Sequence, residues 1–300
     1  MASPTLVYFS CATPEPHRMA YWLWGNPDAD HTVLCVHGLS RQGRDFDVLA
    51  QALVQRSEGS IRVICPDVVG RGKSDWLKDP LGYQVPVYAA DMLALLAHLQ
   101  PKTLDWVGTS MGGLIGLAAA SHLASVGVRL HRLVLNDVGP VIEWSALQRI
   151  GTYLGKAGHF PSEQAAADAM WAISSSFGPH TPEQWLQLSK PMLKPIKNDR
   201  GQDVFSLHYD PAIATPFASV TQEMAAQGEA LLWQAYDAIT AQTLLLRGAN
   251  SDLLSTETAK QMTERGPRAR LVAFDGVGHA PTLIATDQVD AVVSFLLAAQ

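Results

Sequence analysis

Residues 104–120, LDWVGTSMGGLIGLAAA, decide the fold of this chain. A short strand-like run, LDWV, is followed by Gly108-Thr109-Ser110-Met111-Gly112, which matches the pattern G-x-S-x-G, and then by a stretch typical of a buried helix. Small residues two before and two after a serine allow the backbone to turn sharply from strand to helix, which lifts the serine hydroxyl clear of the sheet. We therefore predict that Ser110 is a nucleophile at a strand–turn–helix junction.

Strand-like and helix-like stretches alternate on both sides of this junction. Apolar runs that suit central parallel strands occur at residues 32–36, 61–66, 104–107, 133–135, 243–246 and 271–274. Helical patterns separate the first four runs, and a closing helix follows the last. The alternation predicts an α/β fold with a mostly parallel sheet.

The strand pattern disappears between residues 139 and about 233, where short helical patterns and prolines replace it. We predict a helical insert, residues 140–235, that interrupts a core formed by residues 1–139 and 236–300. Four tryptophans of the insert are candidates for substrate contact, although each could equally belong to the insert's own core: Trp144, Trp171, Trp185 and Trp233.

A serine nucleophile needs a histidine base and a carboxylate that orients the imidazole. His279 lies in the loop GVGHAP after the last predicted strand, where its ring can reach over the sheet edge. Asp252, after the preceding strand, gives the chain order Ser110, Asp252, His279 that this kind of junction favours. Asp137, directly after the strand LVLN, and Asp275, close before His279, are the weaker alternatives.

Acyl transfer also needs backbone N–H donors for the oxyanion that develops in the transition state. The residue after the nucleophile, Met111, supplies one donor. Leu39 in the run VLCVHGLS is predicted to supply the second, since Gly38 permits a close turn. His37 is expected to brace this loop and not to act as a base.

Gly70-Arg71-Gly72-Lys73-Ser74 contains the G-K-S end of a phosphate-binding loop. The complete pattern requires glycine at position 67, which is Asp67, and a following helix, which the sequence does not predict. Nucleotide binding is therefore not expected.

Composition limits the choice of partners. The chain has 22 Lys+Arg against 28 Asp+Glu, a net charge of −6, and no long basic run, so we expect neither nucleic-acid nor membrane binding. Residues 111–128 lack charged side chains but suit a buried helix better than a membrane span. Three cysteines without a C-x-x-C pair, and an N-terminus unlike a signal peptide, predict a cytoplasmic protein.

The runs HGLS, DVVGRGKSD, GTSMGG, RGANSD and GVGHAP occur in this order, and with them the chain resembles the α/β-hydrolase superfamily over nearly its whole length. The resemblance implies an eight-stranded, mostly parallel sheet flanked by helices, with a lid inserted after the sixth strand. It also implies that no metal or organic cofactor is used.

Departures from related subfamilies narrow the expected reaction. Ser110 stands where haloalkane dehalogenases and epoxide hydrolases carry aspartate, and HGLS differs from the glycine- and proline-rich loop of proline iminopeptidases. We expect hydrolysis of a carboxylic ester or lactone with a small to medium, apolar acyl group, through an acyl-enzyme. Carbon–carbon bond hydrolysis of ring-cleavage products is the alternative, disfavoured because Ala280 replaces a typical tryptophan. Acyl transfer or perhydrolysis would use the same triad, and the oligomeric state is not predicted.

Overall fold

The computed structural model describes residues 3–12, 14–156 and 158–299. The strands are β1 (Thr5–Cys11), β2 (His17–Gly25), β3 (His31–Val36), β4 (Ile61–Asp67), β5 (Thr103–Thr109), β6 (Leu130–Asn136), β7 (His159–Phe160), β8 (Leu193–Lys197), β9 (Asp203–Leu207), β10 (Gln242–Gly248) and β11 (Arg270–Phe274). The helices are α1 (Asp47–Arg56), α2 (Val85–Leu99), α3 (Met111–Ala120), α4 (Trp144–Gly151), α5 (Glu163–Ser174), α6 (Pro182–Ser189), α7 (Ala214–Ala218), α8 (Gln222–Asp237), α9 (Thr256–Glu264) and α10 (Thr286–Leu296).

The main sheet has eight strands in the order β1-β2-β4-β3-β5-β6-β10-β11. The edge strand β1 is antiparallel to β2, and β2 is antiparallel to β4. All the other neighbouring pairs are parallel. This arrangement confirms the predicted mostly parallel α/β sheet of eight strands.

Helices cover both faces of this sheet. Apolar side chains of α1 and α10 pack against one face, and those of α2, α3 and α8 pack against the other. The central strand β4 is buried along its whole length, as expected for a parallel strand covered on both sides. Because the strands β3, β5, β6, β10 and β11 are parallel, their carboxyl ends meet at one edge, and the loops that leave this edge carry the candidate site.

The N-terminal pair β1 and β2 was not among the strands that residue patterns predicted. Residues of β1 are mostly half-buried or exposed, since this strand forms the sheet edge and covers little of the core. Strand β1 therefore lacks the burial on both faces that marks the central strands, whereas β2 does contain an apolar run, residues 19–24.

Between β6 and β10 the chain forms helices α4 to α8 and a separate three-stranded antiparallel sheet, β7-β9-β8. The expectation of a purely helical insert is therefore wrong. Its strands have at most five residues, and β8, LKPIK, contains proline and two lysines, so they lack a clear strand pattern. Helix α8 runs on to Asp237, so the predicted boundary at residue 235 falls inside a helix. We call residues 140–235 the insert below.

No helix in the described part of the chain is long and apolar enough to cross a membrane. The apolar stretch after Ser110 forms α3, which has only ten residues and lies largely buried against the sheet. Its charge-free sequence thus reflects burial between other helices and the strands. The three cysteines, Cys11, Cys35 and Cys65, are buried free thiols.

Candidate active site

Ser110 lies at a sharp turn between β5 and α3. Its φ of +51° is in the left-handed region, and its backbone N–H donates to the carbonyl of Asn136 at 3.0 Å. A Cβ at Gly108 would lie 2.5 Å from the backbone of Gly112, and one at Gly112 would lie 1.9 Å from the carbonyl oxygen of Val36. Glycine is therefore required on both sides of the serine, as the G-x-S-x-G pattern predicts.

His279 lies in the loop after β11 and contacts the serine directly. Its Nε2 is 2.9 Å from Oγ of Ser110, and its Nδ1 donates to Oδ2 of Asp137 at 2.7 Å. A carboxylate only accepts hydrogen bonds, so this contact places the imidazole proton on Nδ1 and leaves Nε2 to accept from the serine hydroxyl. The three side chains form one continuous hydrogen-bonded chain.

Asp137 is fully buried at the end of β6 and is held by several donors. Oδ1 accepts from the backbone N–H of Gly248, and Oδ2 accepts from the hydroxyl of Ser251 as well as from His279. The Asp137 backbone has a φ of +55°, and its N–H donates to the carbonyl of Leu246. These bonds satisfy the buried carboxylate and fix its direction toward His279.

Asp252 does not reach His279. Its carboxylate accepts from Nε and Nη2 of Arg149, at 2.6 and 3.0 Å, in a partly exposed ion pair. The prediction that Asp252 orients His279 is therefore corrected to Asp137, the weaker sequence alternative. The reason is local: β6 and β10 are neighbours, so Asp137 at the end of β6 already occupies the place beside the histidine. Asp275 is exposed after β11.

Leu39 and Met111, the predicted oxyanion donors, both lie beside Ser110. Met111 is the first residue of α3, and its N–H belongs to the helix start, which has no acceptor within the helix. A Cβ at Gly38, next to Leu39, would lie 3.7 Å from the Cβ of Ser110. Within the described residues, the backbone N–H groups of Leu39 and Met111 have no hydrogen-bond acceptor, so both remain available to a substrate oxygen.

His37 fixes the peptide that carries the Leu39 N–H. Its Nδ1 donates to the carbonyl of Gly38 at 2.7 Å, and its Nε2 accepts from the N–H of Val68 at 2.9 Å. Complete burial lowers the pKa of His37 to about 3; the bond to the Gly38 carbonyl opposes this shift, and the nearby Arg71 and Arg41 cations add to it. A second proton would also face the Val68 N–H. His37 is thus a neutral brace, which fits the sequence expectation.

Arg71 is a fully buried cation behind the same loop. Its Nε donates to the carbonyl of Leu39 and its Nη1 to the carbonyl of Val69, both at 2.8 Å. Its Nη2 lies 3.6 Å from Sδ of Met111, and the guanidinium lies 4.8 Å from the ring centre of Tyr88. Arg71 therefore connects the two segments that flank Ser110.

Two cavities meet at Ser110. The histidine-side cavity, of about 330 Å³, includes Ser110 and His279 and extends under the insert, which contributes residues such as Tyr153, Phe160 and Tyr209. The apolar cavity, of about 400 Å³, includes Ser110 and Met111 and is lined mainly by aliphatic and aromatic side chains. Leu39 borders both cavities. A molecule whose reacting atom sits at Ser110 can thus extend in two directions.

Known proteins are similar to this chain in sequence and in fold. The model of the alpha/beta hydrolase family matches residues 33–295. The chain belongs to the alpha/beta hydrolase family. It is 47% identical over 289 residues, 96% of either chain, to a 3-hydroxybutyrate-oligomer hydrolase of Cupriavidus necator.

Solved structures agree with this assignment. An alpha/beta hydrolase from Novosphingobium aromaticivorans superposes with a TM-score of 0.81 at 33% identity, covering 99% of both chains. A putative hydrolase from Rickettsia typhi superposes with a TM-score of 0.83 at 27% identity over 100% of both chains. The family resemblance that the sequence motifs indicated is confirmed.

The four candidate tryptophans of this alpha/beta hydrolase line neither cavity. Trp185 is buried among α5 and α6, its ring lies edge-on to Trp171, and its Nε1 donates to the carbonyl of Ala167. Trp233 is buried beside Tyr236 on α8. Trp144 begins α4. The structure does not support a substrate-contacting role for them.

Sequence reasoning missed two side chains that support the site of this alpha/beta hydrolase. Ser251 donates to Asp137, but a serine beside the carboxylate of Asp252 gives no sequence signal of this contact. Arg71 stands in the run GRGKS, where only the incomplete phosphate-binding pattern was considered.

Proposed function

We propose that this alpha/beta hydrolase is a serine esterase that cleaves oligomers of 3-hydroxybutyrate through an acyl-enzyme. The observation that carries the proposal is the chain of hydrogen bonds from Ser110 through His279 to Asp137. The substrate class is supported by the 47% identity, over 96% of both chains, to a hydrolase of such oligomers.

Acylation begins with the serine hydroxyl. Nε2 of His279 takes the Ser110 proton as Oγ attacks the ester carbonyl, and Asp137 stabilises the imidazolium that forms. The negative charge on the former carbonyl oxygen is stabilised by the N–H groups of Leu39 and Met111. The ester C–O bond then breaks, and the imidazolium gives its proton to the departing alcohol oxygen.

Deacylation repeats these steps with water. His279 takes a proton from a water molecule, which attacks the acyl carbon held on Ser110 Oγ. The second tetrahedral intermediate uses the same oxyanion donors and collapses with return of a proton to Oγ. The products are a carboxylic acid and free enzyme, so hydrolysis needs only water as co-substrate.

The insert serves as a lid over the core formed by residues 1–139 and 236–300. It supplies part of the histidine-side cavity, including Tyr153, Phe160 and Tyr209. Such a cover limits the access of water to the reacting carbonyl and strengthens the electrostatic interactions inside. We also propose a cytoplasmic location for this enzyme, which the three buried free thiols support.

A substrate panel tests this function. Purified protein is given linear 3-hydroxybutyrate dimer and trimer, p-nitrophenyl butyrate, a lactone and a ring-cleavage diketone, and kcat/KM is measured for each. We expect the oligomers to be the best substrates, with 3-hydroxybutyrate as the product and no effect of a chelator. A dominant rate on the diketone would replace the proposal with carbon–carbon hydrolysis. Preferred formation of a new ester in the presence of alcohol would replace it with acyl transfer.

A further inference from the structure

The two cavities that meet at Ser110 differ in charge. Three cations line the histidine-side cavity, Arg41, Arg149 and Lys156, and no aspartate or glutamate is among its described lining residues. The described lining of the apolar cavity contains no charged side chain. The two directions open to a substrate are therefore chemically distinct.

Two of the three cations are already neutralised. Arg41 pairs with Asp45 at 2.6 Å, and Arg149 pairs with Asp252 at 2.6 Å. Lys156, exposed at the end of the turn after α4, has no ion-pair partner among residues 3–12, 14–156 and 158–299. The histidine-side cavity thus carries one uncompensated positive charge.

The position of His279, which protonates the leaving alcohol, decides which part of an ester enters which cavity. The leaving alcohol receives its proton from Nε2 of His279, so it must lie on the histidine side. His279 borders the histidine-side cavity, whereas Met111, an oxyanion donor, borders the apolar cavity. The acyl part therefore occupies the apolar cavity, and the alcohol part occupies the cavity with the cations.

An oligomer of a hydroxy acid has one neutral end and one anionic end. These two ends match the difference in charge between the two cavities. At any internal ester bond, the acyl part ends in a neutral hydroxyl, whereas the alcohol part ends in a carboxylate. When the ester C–O bond breaks, the proton from His279 goes to the alcohol oxygen and the carboxylate end leaves as a hydroxy acid. The anionic end thus falls on the cationic side of Ser110.

We propose that the histidine-side cavity is a carboxylate-binding subsite, with Lys156 as its cation, that selects acid-terminated oligoesters over neutral esters. This inference rests on the proposed function and deepens it. Lys156 attracts the carboxylate end, and the apolar cavity holds the hydroxyl-terminated acyl part. Since Lys156 is exposed, its effect on binding is modest and decreases with salt.

Paired substrates that differ only in this charge test the subsite. The linear 3-hydroxybutyrate dimer is used as the free acid and as its methyl ester. In each, kcat/KM is measured for the internal ester bond only, from the second 3-hydroxybutyrate released by the acid and from the methyl 3-hydroxybutyrate released by the methyl ester, and the two values are compared as a ratio. Lys156→Met should lower the ratio of acid to methyl ester about fivefold, mainly through KM, and Lys156→Glu should lower it further. Salt should reduce the ratio in the wild type but not in Lys156→Met.

Lys260→Met is the matched control, because Lys260 lies on α9 outside both cavities and the variant loses the same charge. It should keep the wild-type ratio. An unchanged ratio in both Lys156 variants would overturn the subsite. If the wild type hydrolyses neither form of the dimer, the proposed function itself fails, whatever its rate on p-nitrophenyl butyrate. If it hydrolyses them without charge preference, only the subsite fails.

Discussion

Asp137 and His279 are joined by a hydrogen bond of 2.7 Å between Oδ2 and Nδ1, although 142 residues separate them in the chain. The bond exists because β6, which ends just before Asp137, lies beside β10, whose following loop faces the histidine loop. Asp137 is thus anchored from two strands, by its own backbone and by donors from the β10 end. This arrangement shows that Asp137, and not Asp252, contacts His279, a choice that the sequence alone could not make.

The first prediction compares these two carboxylates. Asp137→Asn should lower kcat on p-nitrophenyl butyrate by about 10² to 10⁴-fold, because the amide favours the wrong imidazole tautomer. Asp252→Asn should stay within about threefold, since it loses only a partly exposed ion pair with Arg149. Both variants are checked by circular dichroism. Severe loss in Asp252→Asn, with a folded and active Asp137→Asn, would reverse the assignment.

Ser251→Ala provides a milder test of the same carboxylate. It removes one hydrogen bond to Asp137, together with the acceptor of the Leu253 and Leu254 N–H groups, and leaves the carboxylate in place. We expect kcat to fall by about tenfold, with KM little changed, because a less firmly held Asp137 orients His279 less well. Activity equal to that of the wild type would show that the Ser251 donor does not matter for turnover.

A second prediction concerns the nucleophile. Treatment with a fluorophosphonate should give a single adduct on the peptide that contains Ser110, detected by mass spectrometry. His279→Gln should slow this labelling strongly, since the hydroxyl loses its base at 2.9 Å. Labelling of another serine, or labelling of Ser110 at the same rate in both proteins, would refute the assigned pair.

A third prediction concerns Arg71 as a positioning residue. Arg71→Lys cannot keep the bonds to the carbonyls of both Leu39 and Val69, so the oxyanion loop should be held less firmly. We expect kcat to fall about tenfold to 100-fold, with KM changed far less. The control is Arg44→Lys, which removes another arginine stacked on an aromatic ring, that of Trp22, outside both cavities. Equal losses in both variants would indicate a merely structural role.

A fourth prediction follows from the buried His37. Burial lowers its pKa to about 3, whereas a histidine in the unfolded chain titrates near 6.5. Between these values the unfolded chain binds a proton that the folded protein does not, so the protein loses stability as the pH falls. His37→Gln removes this titration, and the difference in free energy of unfolding between wild type and variant should shrink between about pH 7 and about pH 4.5.

Urea denaturation at several pH values measures this difference. His159→Gln serves as the control, because His159 is exposed on the short strand β7. A gap between wild type and His37→Gln that stays constant over the range would contradict the assignment of His37 as a neutral brace.

The mostly parallel sheet, the nucleophile Ser110 and the base His279 could be predicted from local sequence patterns. The central strands are buried on both faces and read as apolar runs, and the turn at Ser110 needs glycine at fixed positions, so both leave a local trace. No local pattern distinguishes Asp137 from Asp252, because each follows a strand. Only the packing of neighbouring strands decides which carboxylate reaches His279. Likewise, the insert's strands are short, and one of them contains proline. None of its four candidate tryptophans lines either cavity at Ser110.

The release of 3-hydroxybutyrate from its linear trimer is the decisive measurement for the proposed esterase activity of Ser110. Initial rates are measured for the wild type and for Ser110→Ala at the same concentration of folded protein. The wild type should release 3-hydroxybutyrate steadily, and Ser110→Ala should release it about 10⁴-fold or more slowly, because only oxyanion and binding contributions then remain. No release by the wild type, or undiminished release by Ser110→Ala, would contradict it.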